Sequence, residues 1–116
     1  MFSEFSLLSF LLDILLNCSY NMAVKIEYDQ AKRQATLDQR GLDFEDAPLV
    51  FAGPRRITWP DNRQEYGEPR KITMGELLGR LVIIVHTKRG NTTRIISMRK
   101  ANEREQHWFE EQFTES

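Results

Sequence analysis

The chain has almost none of the residues that carry redox or metal chemistry. It holds a single cysteine, Cys18, in 116 residues, which excludes an internal disulfide and a cysteine-based zinc site and fits a reducing compartment. Only two histidines occur, His86 and His107, and two cannot make a metal site without carboxylate help. Neither a metal nor a cofactor is expected. Long apolar runs are also missing. The stretch Leu7–Leu16 is broken by Asp13 and is far short of the about 20 residues a membrane-spanning helix needs, so no membrane role is expected. There are no internal repeats and no low-complexity tract. At this length one compact domain is expected, large enough for a real core without staples.

Residues 1–21 contain no Lys or Arg, while Glu4 and Asp13 take the charged positions. A secretory leader needs a basic start and a small-residue cleavage site, and neither is present. The segment differs in composition from the rest. One reading makes Met22 the physiological start, with 1–21 an extension from an upstream start choice; the other makes it a short amphipathic helix that docks on the domain or a partner. The domain proper is then 22–116.

From Met22 onward the periodicities define elements in order. Val24–Tyr28 fits a short edge strand. Asp29 is an N-cap for a helix to about Arg40, with Gly41 placed for a left-handed C-cap and Ala31, Ala35 and Asp38 sharing the face that leads to Leu42. Asp43 and Asp46 have capping-box spacing ahead of a second, short helix, in which Pro48 is tolerated only in the first turn. Strands follow at Arg56–Trp59, Arg70–Met74, Leu81–Val85 and Thr92–Met98. Gln64–Pro69 forms a loop, and Arg89-Gly90-Asn91 a hairpin turn. In the third strand Ile72 and Met74 face one way, Lys71 and Thr73 the other. The continuous apolar run Leu81–Val85 marks a central strand covered on both faces. In Thr92–Met98, Arg94, Ile96 and Met98 alternate with Thr93, Ile95 and Ser97. A last helix runs from about Lys100 to Gln112, packed down by Trp108, Phe109 and Phe113. The order β-α-α-β-β-β-β-α describes an α+β domain with a mainly antiparallel sheet, two N-terminal helices and one C-terminal helix.

The net charge of −1 excludes nothing, but its distribution is uneven. Between Arg55 and Arg104 twelve Lys and Arg face five Asp and Glu, a surplus of seven positive charges. A basic half on a near-neutral chain is how a phosphate-binding surface looks in sequence.

Several stretches together resemble the BrnT family of toxins. They are Glu27-Tyr28-Asp29 with Lys32-Arg33 and Arg40 to Ala47; Glu65-Tyr66-Gly67-Glu68 with Arg70 and Ile72 to Gly75; Gly79 to Val85 with Thr87; and Arg94 to Asn102 with Arg104-Glu105. No single stretch decides the matter, while four in order and spacing are specific. The sequence departs from the family pattern at Gln39-Arg40-Gly41, where Lys-His-Gly is usual. It departs also at His86, where an aromatic is common, at Met98, where Ala is common, and at Pro48.

The resemblance implies a RelE-like fold and a cytoplasmic bacterial endoribonuclease that cleaves RNA and inhibits translation. It also implies neutralisation by a BrnA-like ribbon-helix-helix antitoxin. Such antitoxin modules form as intertwined dimers, so two toxins and two antitoxins would make a heterotetramer, which reaches promoter DNA only through the antitoxin. The alternatives are a non-catalytic nucleic-acid- or antitoxin-binding module and a structural adaptor.

Metal-free RNA cleavage needs a base for the 2′-hydroxyl, an acid for the departing 5′-oxygen and cations for the phosphate. The two histidines do not lie as a pair, so an imidazole acid–base couple is out. The expected catalytic group is Glu68, Arg70, Arg94, Arg99 and Lys100, since guanidinium forks grip phosphate oxygens bidentately. Glu68 and Arg70 point the same way from a loop-to-strand junction, and a surface ion pair is the plain alternative for them. Arg99 and Lys100 stand against the dipole at a helix start, which favours a bound anion there. Tyr66, Arg104 and His86 are the expected substrate-binding residues, with Tyr66 placed to stack a base. His86 follows a buried strand, where a satisfied structural histidine is the commoner reading. Lys71, facing away from Arg70, is expected to matter little.

Overall fold

The computed structural model describes residues 25–114. The extension 1–21 and the start of the first strand at Val24 lie outside the described residues.

The chain order is β1 (Lys25–Tyr28), α1 (Gln30–Arg40), a 3-10 turn (Phe44–Asp46), α2 (Ala47–Ala52), β2 (Arg56–Pro60), β3 (Lys71–Leu77), β4 (Arg80–Arg89), β5 (Thr92–Lys100) and α3 (Glu103–Phe113). Five strands form one sheet in the order β1-β5-β4-β3-β2, antiparallel throughout except that β1 lies parallel to β5. The helical segment after β1 carries the chain to β2 at the far edge, which runs opposite to β1, and the meander back across the sheet ends with β5 alongside β1 in the same direction. This is the α+β class expected from the sequence.

The local signals act as read. Asp29 accepts from the Ala31 N–H, and Gly41 closes α1 in the left-handed region at φ 69°. The inward face of α1 differs from the expected one. Ala31, Ala35 and Asp38 are exposed, while Arg33, Thr36 and Leu37 turn inward. No residue of this helix is fully buried. Polar ties hold it instead: Arg33 donates to both oxygens of Asp43 at 2.8 and 3.0 Å, and Arg40 to the Met98 carbonyl at 2.8 Å. Asp43 caps the 3-10 turn through the Glu45 N–H, whereas Asp46 makes no side-chain cap, so the expected box between them is absent. Pro48 sits in the first turn of α2, where a missing N–H costs nothing.

Apolar side chains cover both faces of the sheet. On one face, α2 and the turn before it bring Phe44, Ala47 and Val50 onto Val82, Ile84, Ile95 and Met98. On the other, Phe109 of α3 packs on Ile72, Met74, Ile83 and Val85. With two covered faces, β3 is buried on both sides from Ile72 to Gly75. Thr73 is buried, and its hydroxyl lies 2.8 Å from those of Thr58 and, across the sheet, the His86 ring. Gly75 lets α2 approach, since a Cβ there would stand 2.8 Å from Val50 Cγ1.

The alternation read through β5 also fails, for a definite reason. Val85 pairs with Ser97 and His86 with Ile95, so Ile96 is an extra residue, a β-bulge. One inserted residue inverts the parity beyond it. Ile95 and Met98 therefore share the α2 face, while Ile96 packs on the α3 side.

Candidate active site

The bulge matters because it decides where the arginines of β5 point. Arg94 and Arg99 are five apart and would leave a regular strand on opposite faces. With one extra residue between them, both leave on the α3 face. Arg94 pairs with Thr87, and Arg99 with Ile83, whose neighbours in the row are core residues beneath α3.

The loop before β3 brings up the other members. Its base is closed by the Asp61 N–H donating to the Arg70 carbonyl at 2.8 Å. Inside it the Arg63 guanidinium grips both oxygens of Asp61 at 2.7 Å and holds that buried carboxyl down at about 2, well below the usual carboxylate range. On this frame Arg70 stacks over the Tyr66 ring, 4.1 Å from its centroid, and its Nε stands 3.6 Å from Glu68. That Nε is buried without a hydrogen-bond partner, a donor left unspent. Arg89 approaches the other oxygen of Glu68 at 3.4 Å, so this carboxylate sits between two guanidiniums. Continuing the Lys71–His86 register by one residue sets Arg70 beside Thr87, whose hydroxyl donates to the Pro69 carbonyl at 2.5 Å. Arg70, Thr87, Arg94 and Glu27 thus form one row across four strands. By strand spacing, Arg70 and Arg94 are about 10 Å apart at the backbone.

A family model described as the ribonuclease toxin BrnT of type II toxin–antitoxin systems matches residues 28–105. The chain belongs to the BrnT toxin family. No curated protein matches it. The family match spans both halves of the row, from Tyr28 beside Glu27 through Arg70 to Arg94 and on to Glu105. Membership makes this a ribonuclease toxin by family and implies an antitoxin partner.

Within this BrnT chain the sequence-expected residues fall into separate groups. Glu68, Arg70 and Tyr66 come together, with Arg94 in the same row. Arg99 lies further along the same face, gripped at 2.8 and 2.7 Å by Glu105. Glu105 also completes a capping box with Asn102 at the start of α3. The anion expected at that helix start is therefore the protein's own carboxylate, which Arg99 holds below its ordinary range. Lys100 pairs with Val82, on the α2 side, and by alternation leaves the sheet away from Arg99. Arg104 is exposed on α3, beside a groove of about 540 Å³ lined by Ile57, Trp59 and Trp108. His86 faces the α2 side, edge-on to Phe51 with ring centroids 4.9 Å apart.

Sequence reasoning missed Glu27, Asp61, Arg63 and Glu105. Each is the partner of an arginine on this face, or that arginine itself: Arg94–Glu27 at 2.7 Å, Asp61–Arg63 and Arg99–Glu105. Only the last pair had a usable signal, the Asn102-x-x-Glu105 capping spacing. Among the described residues no helix is long and apolar enough to cross a membrane, and no group of three metal-ligating side chains gathers.

Proposed function

We propose that this BrnT-family chain is a metal-independent endoribonuclease that cleaves RNA in the cytoplasm and so inhibits translation. Its antitoxin is of the BrnA-like ribbon-helix-helix kind. The observation that carries the reading is the cluster of Glu68, Arg70 and Tyr66 in one cross-strand row with Arg94. Glu68, held between Arg70 and Arg89, takes the proton of a 2′-hydroxyl. The 2′-oxygen then attacks phosphorus, the bond to the 5′-oxygen breaks, and that oxygen leaves with a proton from solvent, to which Glu68 returns the one it took. Products carry a 2′,3′-cyclic phosphate. Arg70 and Arg94 spread the charge that develops on the phosphate, with Arg99 as a further contact along the strand. Tyr66 stacks a base beside the scissile bond, and Arg104 extends the cationic track along α3. Lys100 has no place in this group.

The toxin domain is 22–116 in this reading, and a ribbon-helix-helix antitoxin, dimeric by construction, gives a heterotetramer that meets promoter DNA through the antitoxin. A second reading has an observation in its favour. Each of Arg63, Arg70, Arg94 and Arg99 is already matched by a carboxylate, as in a binding module that cuts nothing.

The experiment is induction of the full chain with and without the neighbouring antitoxin frame. Growth should stop and cellular RNA should be cut, with ends that carry cyclic phosphate, and the antitoxin should reverse both. Soluble, folded toxin that leaves RNA whole selects the binding module.

A further inference from the structure

On the α2 side of the same sheet end lies a hollow of about 460 Å³ whose lining includes Phe51, Lys71, His86, Lys88 and Thr93. Its lining contains no carboxylate. This contrasts with the opposite face, where the arginines are tied to acids. Neither Lys71 nor Lys88 forms an ion pair among the described residues. The register explains why the two ammoniums gather. Lys71 stands directly across from His86, and Lys88 is two residues along β4 on the same face. Both ammoniums are exposed and stand beside one imidazole, open to an anion from solvent.

The rest of the hollow is built for a base. Phe51 presents an aromatic ring inclined at 70° to the imidazole. His86 Nε2 is fixed at 2.8 Å from the Thr73 hydroxyl, and Nδ1 has no hydrogen-bond partner among the described residues. An aromatic face, a polar ring nitrogen and two lysines are the components of a single-stranded nucleotide site: stacking surface, edge contact and phosphate cations. Two further lining residues, Pro69 and Thr87, border the row that holds Arg70. Arg70 and Lys71 are consecutive, and their side chains leave on opposite faces of one strand end.

We infer that this hollow binds the nucleotide flanking the cleaved phosphate, its base against Phe51 and His86 and its phosphate between Lys71 and Lys88. The inference rests on the ribonuclease reading for the word flanking, and on the hollow alone for the binding of single-stranded RNA. RNA then runs over the end of the sheet, from the lysine side to the arginine side. An acidic segment of a protein partner is the rival occupant. The combination of a stacking ring with an unspent ring nitrogen favours RNA, because a carboxylate would use only the lysines.

The test uses the full chain and a 2′-O-methylated RNA oligonucleotide, which cannot be cleaved. Affinity is measured against salt for wild type, the Lys71→Ala/Lys88→Ala double variant and Arg80→Ala, an exposed arginine at the other end of β4. Losing the neutralisation of that one phosphate in a single-strand site reduces the slope of log K against log salt by about 0.7. That reduction is expected in the double variant and not in Arg80→Ala. Cleavage of unmodified RNA should show a raised KM with kcat kept. An unchanged slope in a folded double variant overturns the subsite, whatever the cleavage result. So does normal RNA affinity with lost antitoxin affinity, which hands the hollow to a protein. If wild type cuts nothing yet the slope still depends on the two lysines, the subsite stands and the ribonuclease reading falls.

Discussion

Removing the Arg70 side chain separates a catalytic guanidinium from a structural one, because the two roles differ in size. Arg70 stacks on Tyr66 and sits 3.6 Å from Glu68, with a quarter of its side chain exposed. Losing the stacking costs about 0.5–1 kcal/mol of stability. Losing a partly exposed ion pair costs about 1 kcal/mol or less. The folded state therefore loses about 2 kcal/mol at most, and a domain that starts at only about 5 kcal/mol stays about 99% folded. A guanidinium that meets the phosphate in the transition state is worth much more, about 2.7–4 kcal/mol, or roughly a hundredfold to a thousandfold in rate. Arg70→Ala should then lose at least about a hundredfold in single-turnover cleavage of an end-labelled RNA, with the melting temperature lowered by no more than about 15 °C. Arg70→Lys keeps the charge without the fork and should recover only part of the rate. Arg80→Ala is the comparison and should cleave normally. Wild-type cleavage by Arg70→Ala would refute the reasoning, and so would an Arg80→Ala variant damaged to the same degree, since bulk charge would then account for the activity.

Three other outcomes follow from the geometry. Arg99→Ala should slow cleavage while Lys100→Ala should not, because the bulge leaves only Arg99 on the active face; equal losses measured side by side would contradict that division. Gly75→Ala should destabilise the fold by about 1–3 kcal/mol in denaturant titration, since its Cβ would meet Val50 and the Cβ of Arg56 at 2.8 and 3.2 Å, and a gain in stability would show that α2 yields easily. Burial, reinforced by Lys71 and Lys88, holds His86 down at about 4, against an ordinary value near 6.5. Between those values the unfolded chain binds the extra proton, so stability should fall as pH drops from about 6.5 toward 4. His86→Gln should flatten that part of the melting-temperature profile, and an unchanged slope would place the titration elsewhere.

Much of this protein was legible in its residues. Asp29 and Gly41 bound a helix whichever way the chain folds around it, because capping is settled within a few residues. The apolar run Leu81–Val85 could belong only to a covered strand, and the order of elements follows from such local periods. The uneven charge and the four ordered stretches were enough to indicate the toxin family. Tertiary structure decided the rest. The inward face of α1 depends on Asp43, beyond the helix end, and on the Met98 carbonyl, far from Arg40 in sequence. The bulge at Ile96 leaves no mark in the alternation, yet it turns Arg94 and Arg99 onto one face. The pairing of Arg94 with Glu27 also joins distant segments. Lys71 was expected to matter little because it faces away from Arg70; packing sets it beside His86 and Lys88 in the hollow on the other side. Local rules act over one turn or one pleat, whereas a site is made where strands far apart in sequence come into register.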